Sequence, residues 1–349
     1  MKKILIPIFG LLVLILLTPV ILSKLANSNI DKKIEKLKNN GIQIEEISKN
    51  ITYLDSNRKF KILLSSDSNN STWKKYHQFL KNANFIVDLK FRNLPVTKAD
   101  MQVLATLDFG NFKLQDIKLH IITKNFKDFE YQLLSIKDFI IEDFNGTIHK
   151  KKYLKLQTTT KVFNYPEFFY SKENYIDGEI KDILLGLANL NWHGKEWKIK
   201  YDKFVLSGLN SEENLTTHLL GTGKYLLEDR FFTKSLRLDI YDFKIVLKNF
   251  NWNLKLNKDK TTDVVINMNW NKSKYQNAIV SGGKIEIRIT NIESYKDFNL
   301  DANIKLDNSL FKRISKDLNP KFVNKYLTNG TSNIKIKNGE IKINGNRIQ

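Results

Sequence analysis

Residues Asn333–Gly345 read NIKIKNGEIKING. Ile334 and Ile336 alternate with Asn333, Lys335 and Lys337, and Ile341 and Ile343 alternate with Glu340, Lys342 and Asn344. β-Branched residues at a period of two make a strand with one core-facing and one solvent-facing side. Asn338-Gly339 between the runs supplies the two positive-φ residues of a type I′ turn. The stretch is therefore expected to be a β-hairpin with one apolar and one charged face.

Most of the chain repeats this pattern. GIQIEEISKNITYLD from Gly41 and RKFKILLSS from Arg58 read as the first strands, and ANFIVDLKFRNLP from Ala83 as another. From Leu114 a long strand field runs through QDIKLHIITKNF, KDFEYQLLSIKDFIIEDFNGTIH, YLKLQTTTKVF, EWKIKYDKFVLSGL, SLRLDIYDFKIVLKNFNWNLKLN, DVVINMNWN, KIEIRITNI and FNLDANIKLD. Their spacing points to antiparallel meanders. Helices are expected in three interruptions. STWKKYHQFLKNA places Trp73, Tyr76, Phe79 and Leu80 on one side. PVTKADMQVLATLD has Thr97 as a cap and Pro95 just outside. DNSLFKRISKDLNPKFVNKYLTNG carries the stripe Leu310, Phe311, Ile314 and Leu318, broken by Pro320 and ended by Gly330.

The N-terminus carries the localisation signal. After Lys2 and Lys3, the run Ile4–Leu22 has no charge; Ile4, Leu5, Leu11, Leu12, Leu14, Leu16 and Leu17 supply its apolar surface. Its length of about 19 residues spans roughly the 30 Å hydrocarbon core. A cleaved signal peptide is the rival reading, but SKLAN puts Lys24 where a small residue is wanted. Positive charges flank both sides, since Lys24, Lys32, Lys33, Lys36 and Lys38 follow the run. The short basic start favours N-inside with an exported body. SNIDKKIEKLKNNG then reads as an amphipathic helix with Ile30, Ile34 and Leu37 on one face, Ser28 or Asn29 as N-cap and Gly41 as stop. Lys32, Lys33 and Lys36 on it face either anionic headgroups or simply water.

The chain holds 57 Lys+Arg against 37 Asp+Glu, a net charge of +20. This fits an anionic partner, or equally an AT-rich codon bias that raises Lys, Asn and Ile together. The charges are dispersed and not interleaved with aromatics, so a nucleic-acid platform is not expected. The absence of Cys excludes disulfides, thiolate catalysis and thiolate metal sites. His77, His120, His149, His193 and His218 show no metal-ligand spacing. No nucleotide loop or nucleophile elbow is present; GTGKY at Gly221–Tyr225 lacks the rest of a phosphate loop. Ser281-Gly282-Gly283 reads as a bulge or turn. Trp192, His193 and Trp197 either line a sugar or lipid-headgroup site or pack a sheet face. Asn69, Asn145 and Asn214 head Asn-x-Ser/Thr sequons with an acidic residue two positions earlier, an extended glycosylation pattern.

The apolar anchor, the short helix, ITYLDSNRKFKILLSS, the strand field and the closing IKIKNGEIKINGN together resemble the YdgA-like family of bacterial inner-membrane proteins with a periplasmic β-rich body. Tyr53 matches that family's tyrosine-bearing strand, and Ile343-Asn344-Gly345 matches its last hairpin. Its His-Gly-Pro step has no counterpart near FLKNANFIVDLKFRNLP. The resemblance implies N-inside topology and homodimerisation, and carries over no catalytic residues.

The expected architecture is mainly β (α+β). Residues 1–26 form a signal-anchor transmembrane segment, 27–41 an amphipathic juxtamembrane helix, and 42–349 a periplasmic β-rich domain curled into a groove, with a few peripheral helices. The expected function is binding or transfer of a phospholipid or glycolipid in envelope maintenance. The alternative is a structural or assembly module for other envelope proteins. Neither reading needs an enzyme, cofactor, metal or nucleic acid.

Overall fold

The computed structural model describes residues 22–39, 41–64, 81–93, 98–110, 112–123, 125, 127–150, 153–182, 186–221, 224–241, 243–275, 278–292, 297–306, 330–337 and 340–347. The chain is mainly β, built from antiparallel strands, with one helix among the described residues. It divides into two compact units, Met1–Leu156 and Gln157–Gln349.

The first unit holds the helix α1 (22–39) and strands β1 (Gln43–Ile51), β2 (Asp55–Leu64), β3 (Asn82–Arg92), β4 (Ala99–Asp108), β5 (Lys113–Thr123), β6 (Asp128–Ser135), β7 (Ile140–Glu142) and β8 (Asn145–Lys150). Strands β1 to β6 pair each with the next, and β6 pairs with β8. Phe60, Ala83, Phe91, Ala99, Ala105 and Ile117 are among its buried apolar side chains.

Helix α1 is fixed to this sheet by polar contacts. Arg58 on β2 is 1% exposed. It donates from Nε to Glu46 Oε1 at 2.7 Å, from Nη2 to Asp31, and lies over the Phe60 ring at 5.0 Å. Asn27 Nδ2 donates to the Ser23 carbonyl at 2.9 Å and to Ser56 Oγ at 3.2 Å; Ser56 in turn donates to Asn93 Oδ1 at 2.9 Å. The helix therefore starts before Ser28 and Asn29, which sit inside it and do not cap it. Gly41, at φ +82°, closes it as expected, with its N–H bonded to the Lys38 carbonyl.

One expected helix is a strand. Residues 99–108 form β4, paired with β3 and β5. Ala, Met, Gln and Leu are good helix formers, but Ala99, Met101, Val103, Ala105 and Leu107 alternate, and the two flanking ladders decide the outcome. The expected helices at 71–83 and 307–330 fall on residues outside the described set, apart from Lys81, a bend, Asn82 and Ala83, which open β3, and Gly330, a turn.

The second unit holds β9 (Leu154–Tyr165), β10 (Phe169–Asp182), β11 (Leu187–Tyr201), β12 (Phe204–Gly221), β13 (Lys224–Ile240), β14 (Phe243–Lys258), β15 (Thr262–Tyr275), β16 (Ala278–Thr290), β17 (Asn299–Leu306), β18 (Thr331–Lys337), β19 (Glu340–Ile343) and β20 (Asn346–Arg347). β9 pairs with β10, and from β10 on each pairs antiparallel with the next. The C-terminal hairpin forms as expected, with Ile334 opposite Ile343 and Ile336 opposite Ile341. Its turn, Asn338-Gly339, is outside the described residues. Asn344 (φ +49°) and Gly345 (φ +83°) make the next reversal.

Matched registers lay side chains in rows across the strands. One inner row runs Ile176, Trp192, Glu213, Phe231, Trp252, Met268, Ile285, Ile304, Ser332. The next runs Gly178, Leu190, Leu215, Asp229, Leu254, Ile266, Ile287, Ala302, Ile334. Midway along the long strands, alternation is interrupted by two consecutive exposed residues: Lys195-Glu196, Leu209-Asn210, Lys248-Asn249 and Asn271-Lys272. Because neighbouring strands carry the step at matching positions, the ladder keeps its register across it. Glu173, Asn210 and Asn249 there take φ of +49°, +49° and +48°. Gly282 of the Ser281-Gly282-Gly283 stretch lies at the same place in β16. The result is a transverse crease that turns both halves of each strand toward one core.

Candidate functional site

Inside the crease of the second unit lies a cavity of about 750 Å³. Its lining is almost wholly carbon: Trp192, Trp197, Trp252, Trp270, Phe231, Phe250, Leu236, Leu247, Met268 and Ile285 are among the residues facing it. Four of the chain's five tryptophans are here; Trp73 lies outside the described residues.

Two local devices seat the indoles. The first is glycine beside tryptophan. Gly208 pairs with Trp197 and Gly283 with Trp270 across the ladder. A Cβ on Gly208 would lie 2.3 Å from Trp197 Nε1, and one on Gly283 2.3 Å from Trp270 Cζ2. The rings therefore lie flat on bare backbone. The second device is a hydrogen-bond acceptor for each indole N–H. Trp192 donates to Asn174 Oδ1 at 3.1 Å, Trp197 to Ser211 Oγ at 2.7 Å, Trp252 to Asp229 Oδ2 at 2.8 Å and Trp270 to Ser273 Oγ at 2.6 Å. A buried indole needs such a partner. With all four satisfied by protein, the rings offer the cavity only carbon. Phe231 joins them, at 5.9 Å and edge-on to Trp197 and 5.5 Å from Trp252.

One polar feature breaks the apolar floor. Glu213 on β12 lines the cavity, and Asp229 on β13, 7% exposed, is its diagonal neighbour. Burial raises the Glu213 carboxyl to about 7, helped by repulsion from Asp229 and a hydrogen bond to it. Burial also lifts Asp229 above the ordinary carboxylate range, against the hydrogen bonds from Trp252 and Glu213. In the inner rows through these residues no Lys or Arg appears. The pair can hold and release a proton. Two carboxyls bonded to each other do not straddle a glycosidic bond, which needs about 5–9 Å between them.

The residues marked from sequence are distributed as follows. Trp192 and Trp197 share the cavity, whereas His193 points to the opposite face, with Tyr175 at 6.1 Å. Lys32, Lys33 and Lys36 are exposed on α1. Asn145 opens β8, exposed, and Asn214 lies within β12 with its amide donating to Asn191 Oδ1 at 2.6 Å. Asn69 and the anchor residues Ile4, Leu5, Leu11, Leu12, Leu14, Leu16 and Leu17 lie outside the described residues. Among the described residues, no helix is long and apolar enough to cross a membrane and no three His, Asp or Glu gather into a metal-holding cluster. Glu213 and Asp229 were not singled out from sequence. Their only signal is an acidic doublet, Glu212-Glu213 and Glu228-Asp229, that puts one carboxyl on each face.

Comparison with known protein families, characterised proteins and solved structures finds no match to this chain.

Proposed function

We propose that this chain binds or transfers an amphiphile, its acyl or alkyl part lying in the trough of the second unit, and that it does so as a single-pass inner-membrane protein of the YdgA-like type with a periplasmic body. The observation that carries the reading is the almost wholly apolar lining, with four tryptophans whose N–H groups are all bonded within the protein. The volume of about 750 Å³ falls within the range of small-molecule sites. Apolar chains entering such a space gain the transfer free energy of their whole length. The apolar run Ile4–Leu22 and the exposed Lys32, Lys33 and Lys36 support membrane anchoring beside anionic headgroups. No step of the reading requires catalysis.

The test is mass spectrometry of lipids that co-purify with the full chain from membranes, against an unrelated basic protein of similar size. Stoichiometric lipid, lost in Leu247→Asp and Ile285→Asp, is the expected result. A lipid-free, folded protein overturns it. A second reading, an assembly module, is favoured by β1, where Ile47 and Ile51 are 48% and 44% exposed. Exposed apolar side chains on a strand that pairs only with β2 among the described residues can take a partner strand, a second copy included.

A further inference from the structure

We infer that the trough selects an ammonium-bearing amphiphile, with the cation held at Glu213, behind which Asp229 lies, beside Phe231 and Trp252, and the alkyl chain laid along the remaining indoles. The inference rests on the amphiphile reading and narrows it to one charge class.

Charge complementarity carries it. The protein has 57 basic residues, yet the inner rows that contain Glu213 and Asp229 hold no Lys or Arg. Asp229 Oδ2 accepts from Trp252 at 2.8 Å, and the pair shares a hydrogen bond, but among the described residues no basic side chain pairs with it. A buried carboxylate ordinarily has a cationic partner. Among the described residues none supplies it, and a ligand can bring the cation in place of the proton that the pair otherwise holds. The surroundings fit one: Glu213 lies opposite Trp192 and Phe231 in its row, and Trp252 is 5.5 Å from Phe231. Aromatic faces beside a carboxylate are the arrangement that recognises an ammonium group. An anionic chain would place a second negative charge against the pair in a medium of low dielectric. Bulk charge predicts the reverse, because a chain of net +20 attracts anions non-specifically. A preference for the cation is therefore diagnostic of this pair.

The experiment uses the full chain held in solution by a non-ionic amphipol, titrated calorimetrically at pH 8 with decyltrimethylammonium, decanoate and decanol below their micellar concentrations. The ammonium compound is expected to bind about tenfold tighter than either of the others. In Glu213→Gln the preference for the ammonium compound over decanol is expected to shrink severalfold, and in the Glu213→Gln/Asp229→Asn double variant to vanish. Thermal melting confirms that each variant is folded. Equal binding of all three probes, or tighter binding of decanoate, overturns this inference and leaves the amphiphile reading standing. Binding of none overturns both.

Discussion

Replacing Glu213 by Gln should stabilise the protein at alkaline pH and leave it nearly unchanged in acid. The folded chain holds the Glu213 proton up to about pH 7, whereas the unfolded chain releases it near 4.5. Between those values the native state binds more protons than the unfolded state, so stability falls as pH rises, and the penalty is complete above about pH 7. An elevation of that size corresponds to about 3 kcal/mol, reduced to about 2 kcal/mol because water still reaches part of the carboxyl. Gln keeps an N–H to donate to Asp229 but cannot ionise. The charged group facing Glu213 is Asp229 from β13; its row neighbours from β11 and β13, Trp192 and Phe231, carry no charge. Urea unfolding of the full chain, followed by tryptophan fluorescence at pH 4.5, 6, 7 and 8.5, measures the effect. Glu213→Gln should gain about 2 kcal/mol at pH 8.5 and lie within about 0.5 kcal/mol of the parent at pH 4.5. Parallel pH profiles for the two proteins, or a variant weaker than the parent at pH 8.5, would refute the reasoning.

Three further outcomes follow from the packing. Arg58→Leu leaves Asp31 with Lys49 alone, takes the Arg58 partner from Glu46 and removes the clamp on α1, so the first unit should lose about 2–3 kcal/mol, with faster tryptic cleavage after Lys32 and Lys33. Cleavage at the parent rate would show that Arg58 does not hold the helix. Gly283→Ala drives a methyl against the Trp270 ring and should cost about 1–3 kcal/mol, read as a lower melting temperature and altered indole emission; an unchanged melt contradicts the flat stacking. Asn249→Val puts a β-branched residue at φ +48° and should cost about 1–3 kcal/mol by denaturant titration, whereas Asn249→Gly should be neutral or slightly stabilising.

The strands were legible because alternation is a local property. Ile334, Ile336, Ile341 and Ile343 state their own hairpin, and the matched Ile pairs agree with it. Residues 99–108 misread because helix-forming composition and alternation coexist there, and only the ladders on both sides choose between them. The cavity was hidden by the crease. Trp192 and Trp197 are five residues apart, which strict alternation assigns to opposite faces. The exposed step Lys195-Glu196 reverses that and brings both into one wall. Its trace in the sequence is a doubled polar residue recurring mid-strand, visible only once the strands are aligned. The carboxyl pair was further from view, since Glu213 and Asp229 meet through the register of β12 on β13.

The placement of the two carboxyls is itself informative. Their rows are otherwise filled by Leu, Ile, Met, Ala and aromatic residues with small residues at the edges, and leucines there would continue the packing. Buried ionisable groups replaced by well-packed apolar ones commonly leave a protein as stable or more so, by about 1–4 kcal/mol. Asp229 is retained in part as the acceptor of the Trp252 N–H, but stability does not account for Glu213. Nor does solubility, since the chain's charge is expressed on the exposed side, with Lys195, Lys248 and Lys272 along the crease. A position where the fold accepts a destabilising group is where function is to be sought. The penalty here is negative charge in an apolar trough, and a positive charge brought by the ligand inferred above would remove it.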